Sequence, residues 1–122
     1  MINCNCSCNG LFQGSTPTLE FTTNSPLTDI KQIYITFTQL GQVILEYDSS
    51  NHKYAFEYVQ GDIKINLTLT EQDTFLFSPK YDINVQLRIV YNGGAVVASE
   101  ISTLHMHPAL KQEALTNGQS TS

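Results

Sequence analysis

The chain has 122 residues, of which eleven are acidic and six are basic, and a formal net charge of −5. This length suits one domain with a two-sheet core, and no apolar run approaches the roughly 20 residues of a membrane-spanning helix. Nucleic-acid binding needs clustered Lys and Arg to displace counterions. Because the six bases are spread along the chain, the composition argues against nucleic acid, and the lack of a long apolar run argues against a membrane.

The first ten residues, MINCNCSCNG, contain neither the basic stretch nor the apolar stretch of a signal peptide. We therefore expect synthesis in a cytoplasm and a soluble protein. Only 14% of the residues are charged, against about 25% in an average protein, so the polar surface consists mainly of Thr, Ser, Asn and Gln. Such a surface costs less to desolvate than an ionic one, which favours extensive protein contacts.

Three cysteines, Cys4, Cys6 and Cys8, alternate with Asn and Ser near the start of the chain. One interpretation is a thiolate metal site completed by His105 and His107. A second is crosslinking between subunits under oxidising conditions, and a third, which we favour, is a reduced tail that is poorly ordered or lies on a neighbouring subunit. Since structural zinc sites use ligand pairs separated by two to four residues, the C-x-C-x-C spacing does not match, and we predict neither a metal nor another cofactor.

Taken in order, the chain predicts a Cys/Asn-rich N-terminal arm over residues 1–16 and then a series of short strands. Apolar and polar residues alternate in these strands, which is the period of a sheet with one buried face. Turn residues such as Gly41 and the Asn92-Gly93-Gly94 segment separate the strands and favour hairpins. The strands are predicted at 18–23, 29–40, 42–47, 53–59, 63–69, 81–91 and 95–107.

The segment between the two most regular strands has a different pattern. Thr70 precedes Asp73 by three residues, which is the spacing of a helix N-cap, and Phe75 and Phe77 follow. We predict a single helical turn that crosses between two sheets and is held by the two Phe rings. After Pro108, the sequence ALKQEAL predicts a short helix.

Seven or eight short strands with a turn about every ten residues are typical of a sandwich. The predicted fold class is all-β, an antiparallel β-sandwich of immunoglobulin-like type over residues 17–108. An extended N-terminal arm (1–16) precedes it, and a short helix with a disordered tail (109–122) follows it.

Two glutamines in predicted strands leave two interpretations open. Gln86 and Gln39 form a buried polar network in the first, and both lie on the outward face of the sheet in the second. We take their alternation with Val85, Leu87 and Phe37 to favour the outward face.

Motifs of catalysis are missing from the sequence, which contains no Gly-rich phosphate loop, no G-x-S-x-G and no H-E-x-x-H. Glu71 and Asp73 are an acid pair of the kind that hydrolases use, but their position suits the cap of a turn better. We therefore predict a protein that is not an enzyme.

Four segments, TPTLEF, IYITFTQLGQVILE, LTLTEQDTFLFSPKYDINVQLRI and GGAVVASEI, resemble a class of small β-sandwich virion structural proteins of bacteriophages and prophages of gut bacteria. The class shares a strand, then LT-x-x-DT-x-x-F, QLRI and G-x-x-x-x-S. The likeness covers roughly residues 17–108 and is sharpest over 68–89. It implies a component of the virion without catalytic residues, whose place in the head, neck or tail stays open. The Cys-rich start and the HMHP segment depart from the class and mark points of attachment to a specific neighbour.

The expected partners are other virion proteins and further copies of this chain in a homo-oligomer. The alternative for Leu11, Phe12 and Leu110 is packing against their own sandwich. The candidate partner-contact residues lie in the two end segments: Cys4, Cys6, Cys8, Leu11, Phe12, His105, His107 and Leu110.

Three hypotheses of function follow. The first is a phage structural protein, a head decoration, connector or tail-associated subunit found in the virion. The second is a sandwich that binds carbohydrate or a host receptor; the chain has no Trp, but its six Tyr supply stacking surfaces. The third is a metal-binding or redox module built on the cysteines.

Overall fold

The structure, a computed structural model, describes residues 3–5, 11–23, 26–99 and 101–110. Within these ranges the chain forms eleven strands, one turn of 3-10 helix at Lys53–Ala55 and one short helix, α1, at Glu71–Thr74. The strands are β1 (Asn3–Asn5), β2 (Leu11–Phe12), β3 (Thr18–Thr22), β4 (Ile30–Gln39), β5 (Gln42–Asp48), β6 (Phe56–Tyr58), β7 (Lys64–Thr68), β8 (Ile83–Tyr91), β9 (Val96–Ala98), β10 (Ser102–Leu104) and β11 (Met106–His107).

The strands form two antiparallel sheets. The first sheet has the order β1-β3-β7-β6, and the second has the order β10-β8-β4-β5, with β9 also paired to β8. β2 pairs in parallel with β11. Two antiparallel sheets of this size that enclose a common core are the arrangement of an immunoglobulin-like sandwich. The predicted all-β, immunoglobulin-like sandwich is confirmed.

The core lies between the two sheets and follows the period-two pattern of the sequence. Every second residue of β4, from Ile33 through Ile35 to Phe37, is fully buried, and Leu67 on β7 is buried in the opposite sheet. Each such side chain contributes about 1.5–3 kcal/mol through removal of apolar surface from water. Immunoglobulin domains commonly add a Trp and a disulfide between sheets. This chain has no Trp, and its three Cys all lie before residue 9, so aliphatic and Phe side chains fill the core between the sheets.

The predicted crossing between sheets is the helix α1. The Thr70 side chain accepts a hydrogen bond from the backbone N–H of Asp73 at 3.1 Å, as expected for an N-cap. Phe77 is buried and meets the ring of Phe37 edge-on, with 5.6 Å between centroids. Phe75 is only half-buried, so Phe77 is the ring that anchors the crossing in the core.

Tyr47 links the second sheet to this crossing. Its ring is buried, and its hydroxyl donates a hydrogen bond to the carboxylate of Asp73. Burial, and then the hydrogen bond to Asp73, raises the pKa of Tyr47 well above its usual value near 10.

The raised pKa of Tyr47 predicts a loss of stability in alkali. A group with a raised pKa in the folded state stabilises the fold fully below its unfolded pKa, and this contribution falls as the pH rises above about 10. We expect Tyr47→Phe to flatten the decline in the free energy of unfolding between pH 9 and 11, measured by urea titration. Tyr54→Phe is the control because that ring is exposed. Equal alkaline slopes for both variants would contradict the assignment.

The prediction that Gln39 faces outward is wrong. Gln39 is buried, because it follows Phe37 by two residues and therefore shares the inward face of β4. Its side-chain Nε2 donates to the carbonyls of Ser78 (2.8 Å) and Tyr81 (2.9 Å), and its Oε1 accepts from the N–H of Ser78 (2.9 Å). Gln39 therefore ties the end of β4 to the segment before β8.

Gln86 lies on the opposite face, as predicted, and does not share these partners. Its Nε2 donates to the carbonyl of Ser99 at 2.9 Å. The hydroxyl of Ser99 accepts from the N–H of Leu87, also at 2.9 Å. These bonds fix Ser99 directly after β9. The predicted strand 95–107 is interrupted from this residue on and forms the three short strands β9, β10 and β11.

The sequence predicts an extended arm before the sandwich (1–16) and a short helix with a disordered tail after it (109–122). Asn3–Asn5 pairs with β3, and Gly14 donates its N–H to the Thr74 hydroxyl at 2.8 Å. These described parts of the predicted arm therefore lie along the sandwich. Most of the predicted helix 109–115 and the predicted disordered tail fall outside the described residues.

Candidate functional site

The broadest candidate surface is the side of the second sheet that faces away from the core, which we call the outer face. The register places Thr36 of β4 between Glu46 of β5 and Gln86 of β8, and Thr38 beside Asn84. The outer face consists of Tyr34, Thr36, Thr38, Val43, Glu46, Asn84, Gln86, Arg88, Val96, Ile101 and Thr103.

The charges on the outer face compensate each other. A guanidinium nitrogen of Arg88 lies 3.9 Å from a carboxylate oxygen of Glu46, and the guanidinium carbon lies 5.6 Å from the ring centre of Tyr34. The Thr36 hydroxyl donates to Glu46 at 2.7 Å. The ion pair is exposed and worth at most about 1 kcal/mol to stability, so its main effect is that Arg88 and Glu46 compensate each other's charge.

Large apolar side chains are also exposed on the outer face. Ile101 is 64% exposed, Val43 62% and Val96 58%. Ile101 borders a small hollow of about 80 Å³ that Thr36, Thr38 and other neutral residues complete. A neutral patch with exposed aliphatic groups, a Tyr and an Arg has the composition of the central part of a protein interface.

Three of the predicted contact residues come together at the edge where β2 meets β11. The Phe12 ring stacks on His107 with 4.8 Å between centroids, and His105 meets His107 edge-on at 4.9 Å. His105 Nδ1 lies 3.6 Å from a carboxylate oxygen of Asp82. Leu110 is fully exposed nearby in sequence. These residues form a second exposed edge, mixed aromatic and apolar, beside the sandwich.

Leu11 is a correction to the predicted contact set. Its side chain has no exposed surface and belongs to the core. The parallel pairing of β2 with β11, in which the N–H of Leu11 donates to the carbonyl of His105 at 2.7 Å, turns this side chain inward. Leu11 therefore packs against its own sandwich, which was the alternative interpretation.

The cysteine hypotheses stay predictions. Cys4 lies within β1, opposite Phe21 of β3, while Cys6 and Cys8 fall outside the described residues. In the part of the chain that the structure describes, no group of three or more His, Cys, Asp or Glu side chains is arranged to hold a metal ion. No helix among the described residues is long and apolar enough to cross a membrane.

The outer face was only partly visible in the sequence. The alternation of Tyr34, Thr36 and Thr38 with buried residues marked one outward strand face. Val43 and Ile101 carried no comparable signal, because they are 58 residues apart in sequence and only the strand order brings their strands into one sheet.

The strand order defines an immunoglobulin-like sandwich, and the second sheet leaves one face exposed. No family model matches the chain, and no curated protein matches it. Among solved structures, murine CRIg is similar with 9% identity and a TM-score of 0.45, over 89% of this chain and 98% of that chain. The V domain of amphioxus IgVJ-C2 is similar with 14% identity and a TM-score of 0.31, over 80% of this chain and 97% of that chain. The class assignment rests on this chain's own strand order.

Proposed function

We propose that this chain is a non-enzymatic structural subunit of a bacteriophage virion, a head decoration, connector or tail-associated protein that acts through repeated protein–protein contacts. The observation that carries the proposal is the outer face, which has few charges, is rich in Thr, Asn and Gln, and bears exposed Ile101, Val43 and Val96. The resemblance of residues 17–108 to small virion proteins supports the assignment to a phage particle.

The chemistry of the outer face supports association rather than catalysis. Hydroxyl and amide groups are cheaper to desolvate than ions, and the aliphatic side chains gain free energy when a neighbour covers them. The tyrosine–carboxylate pair of Tyr47 and Asp73 is committed to the fold, because burial and this hydrogen bond keep the phenol protonated.

The partners in this proposal are neighbouring virion proteins and further copies of the chain, met during assembly in the host cytoplasm. Many identical weak contacts give high avidity when they are linked in one symmetric assembly. The exposed edge formed by Phe12, His105 and His107 supplies a second contact where β2 pairs with β11.

The test is incorporation of a tagged second copy, supplied from a plasmid while the host produces phage. We expect the tagged chain to sediment with density-gradient-purified particles and to stay with them through a high-salt wash. Recovery only at the top of the gradient, with the folded chain present in the lysate, would overturn the proposal.

A second candidate function is carbohydrate or host-receptor binding. The observation in its favour is a groove of about 590 Å³ beside the second sheet, within the usual size range of small-molecule sites. Binding of a purified oligosaccharide by the isolated chain would support this function independently of incorporation into particles.

A further inference from the structure

The groove lies at the open side of the sandwich, where the start of β4 and the loop after β5 face the edge strand β6. Lys31 and Gln32 line it from β4, Ser50 from the loop, and Phe56 and Tyr58 from β6. The groove therefore combines cations, neutral hydrogen-bonding groups and aromatic rings in one volume.

One wall of the groove is held in place by hydrogen bonds. Gln32 donates from Nε2 to Asp48 at 3.1 Å, and Ser50 donates from its hydroxyl to the Gln32 Oε1 at 2.5 Å. Asp48 also accepts from the backbone N–H groups of Asn51 (2.7 Å) and Ser50 (3.0 Å). The bond from Asn51, above the others, lowers the pKa of Asp48. The wall therefore presents its amide and hydroxyl groups in a fixed arrangement.

The floor of the groove is aromatic. Phe56 pairs with Leu67 and Tyr58 with Ile65 across the first sheet. Paired residues point to the same side of a sheet, and since Leu67 and Ile65 are buried, both rings face the space between the sheets. Both are only half-buried because β6 is an edge strand. Their exposed ring surfaces can cover an apolar side of a ligand.

Two of the six bases of the chain, Lys31 and Lys53, line this groove. Neither forms an ion pair with a carboxylate in the described residues, whereas Lys64 and Arg88 do. One carboxylate, Glu57, also lines the groove, and a second, Asp48, lies in its wall, where it already accepts hydrogen bonds from Gln32, Ser50 and Asn51. The two ammonium groups are therefore the groove's charges without an ionic partner among the described residues, and a negatively charged ligand would supply that partner.

We propose that this groove binds an acidic saccharide, a sugar unit that carries a carboxylate. The ammonium groups of Lys31 and Lys53 hold the carboxylate, and Gln32 and Ser50 bind ring hydroxyls. The C–H surface of the sugar lies on Phe56 and its neighbour in β6. This assignment deepens the second candidate function and rests on it, and it is independent of assembly through the outer face.

The test uses a hyaluronan tetrasaccharide as the acidic probe and N-acetylchitotetraose as the neutral probe of equal length, titrated into the labelled chain by NMR. We expect the acidic probe to shift amide signals around the groove and to bind at least tenfold more tightly than the neutral one, a difference of about 1.4 kcal/mol. The double variant Lys31→Gln/Lys53→Gln should weaken binding of the acidic probe at least tenfold. The control, Lys64→Gln/Lys80→Gln, removes the same charge outside the groove and should change the affinity less than twofold.

Each other outcome would overturn the inference. Equal losses in the two double variants would show attraction by overall charge, and displacement by an equal concentration of inorganic phosphate would show a general anion site. Equal binding of both tetrasaccharides would leave carbohydrate binding standing but remove the preference for acid. If the wild-type chain binds neither probe, the groove is not a saccharide site and the second candidate function loses its support. That result would not bear on incorporation into particles.

Discussion

Replacing Gln39 with Leu is expected to lower the free energy of unfolding by about 3 kcal/mol. The side chain is buried and makes three hydrogen bonds, two to the carbonyls of Ser78 and Tyr81 and one from the N–H of Ser78. Leucine fills a similar volume but pairs with none of these groups. A buried backbone group left without a partner costs about 1–3 kcal/mol, so the loss is large although no cavity forms.

The matched control is Gln86→Leu in the neighbouring strand. Gln86 is half-buried and its side chain donates one hydrogen bond, to the carbonyl of Ser99. We expect a loss below about 1 kcal/mol, since water replaces a half-exposed bond more easily. Urea unfolding followed by fluorescence measures both variants. Similar losses for the two glutamines would contradict the role assigned to Gln39.

The double variant Val43→Lys/Ile101→Lys is expected to reduce incorporation into particles about 100-fold, equivalent to about 2.8 kcal/mol at 1.4 kcal/mol per tenfold. Both residues are exposed on the outer face, so the isolated chain should keep its stability within about 0.5 kcal/mol. In an assembled particle, each new ammonium group would be buried against a neighbour without a partner. An unpaired buried charge costs several kcal/mol.

The measurement is the ratio of tagged variant to untagged resident chain in purified particles. Val59→Lys/Leu76→Lys is the control, because these side chains are exposed and apolar but belong to turns and not to the outer face. The control should incorporate as well as the unaltered tagged chain. Equal exclusion of both double variants would indicate sensitivity to added charge anywhere, and equal incorporation would contradict a contact role for the outer face.

The sandwich itself could be predicted from the sequence because its signals are local. Ile33, Ile35 and Phe37 repeat every second residue, and that spacing alone assigns one buried face to β4. The cap at Thr70 and the turn at Gly94, whose φ is +97°, are equally local. Such features depend on neighbours in sequence, and sequence patterns report those neighbours.

The errors have two different causes. Gln39 was misplaced because its spacing from Phe37 was taken as alternation, although residues two apart in a strand lie on the same face. Leu11 was misplaced because its burial depends on pairing with β11, about 95 residues later. No local pattern encodes that pairing.

The candidate surfaces depend on distant pairings in the same way. Val43 and Ile101 share a face only because β4 and β8 lie between β5, which contains Val43, and β10, which follows Ile101. Lys31 and Tyr58 line the same groove although they belong to different sheets, because β4 and β6 face each other at the open side of the sandwich. Composition indicated a neutral surface suited to contacts, but the strand order was needed to locate it.

Quantitative mass spectrometry of gradient-purified native particles, scored against the major capsid protein, tests whether the chain is a structural subunit of a phage virion. We expect a reproducible copy number that survives a high-salt wash. A number close to that of the capsid protein would assign the chain to the head lattice, and a few copies per particle would assign it to the neck or tail. If the chain is absent from the washed particles, it is not a structural subunit of the virion.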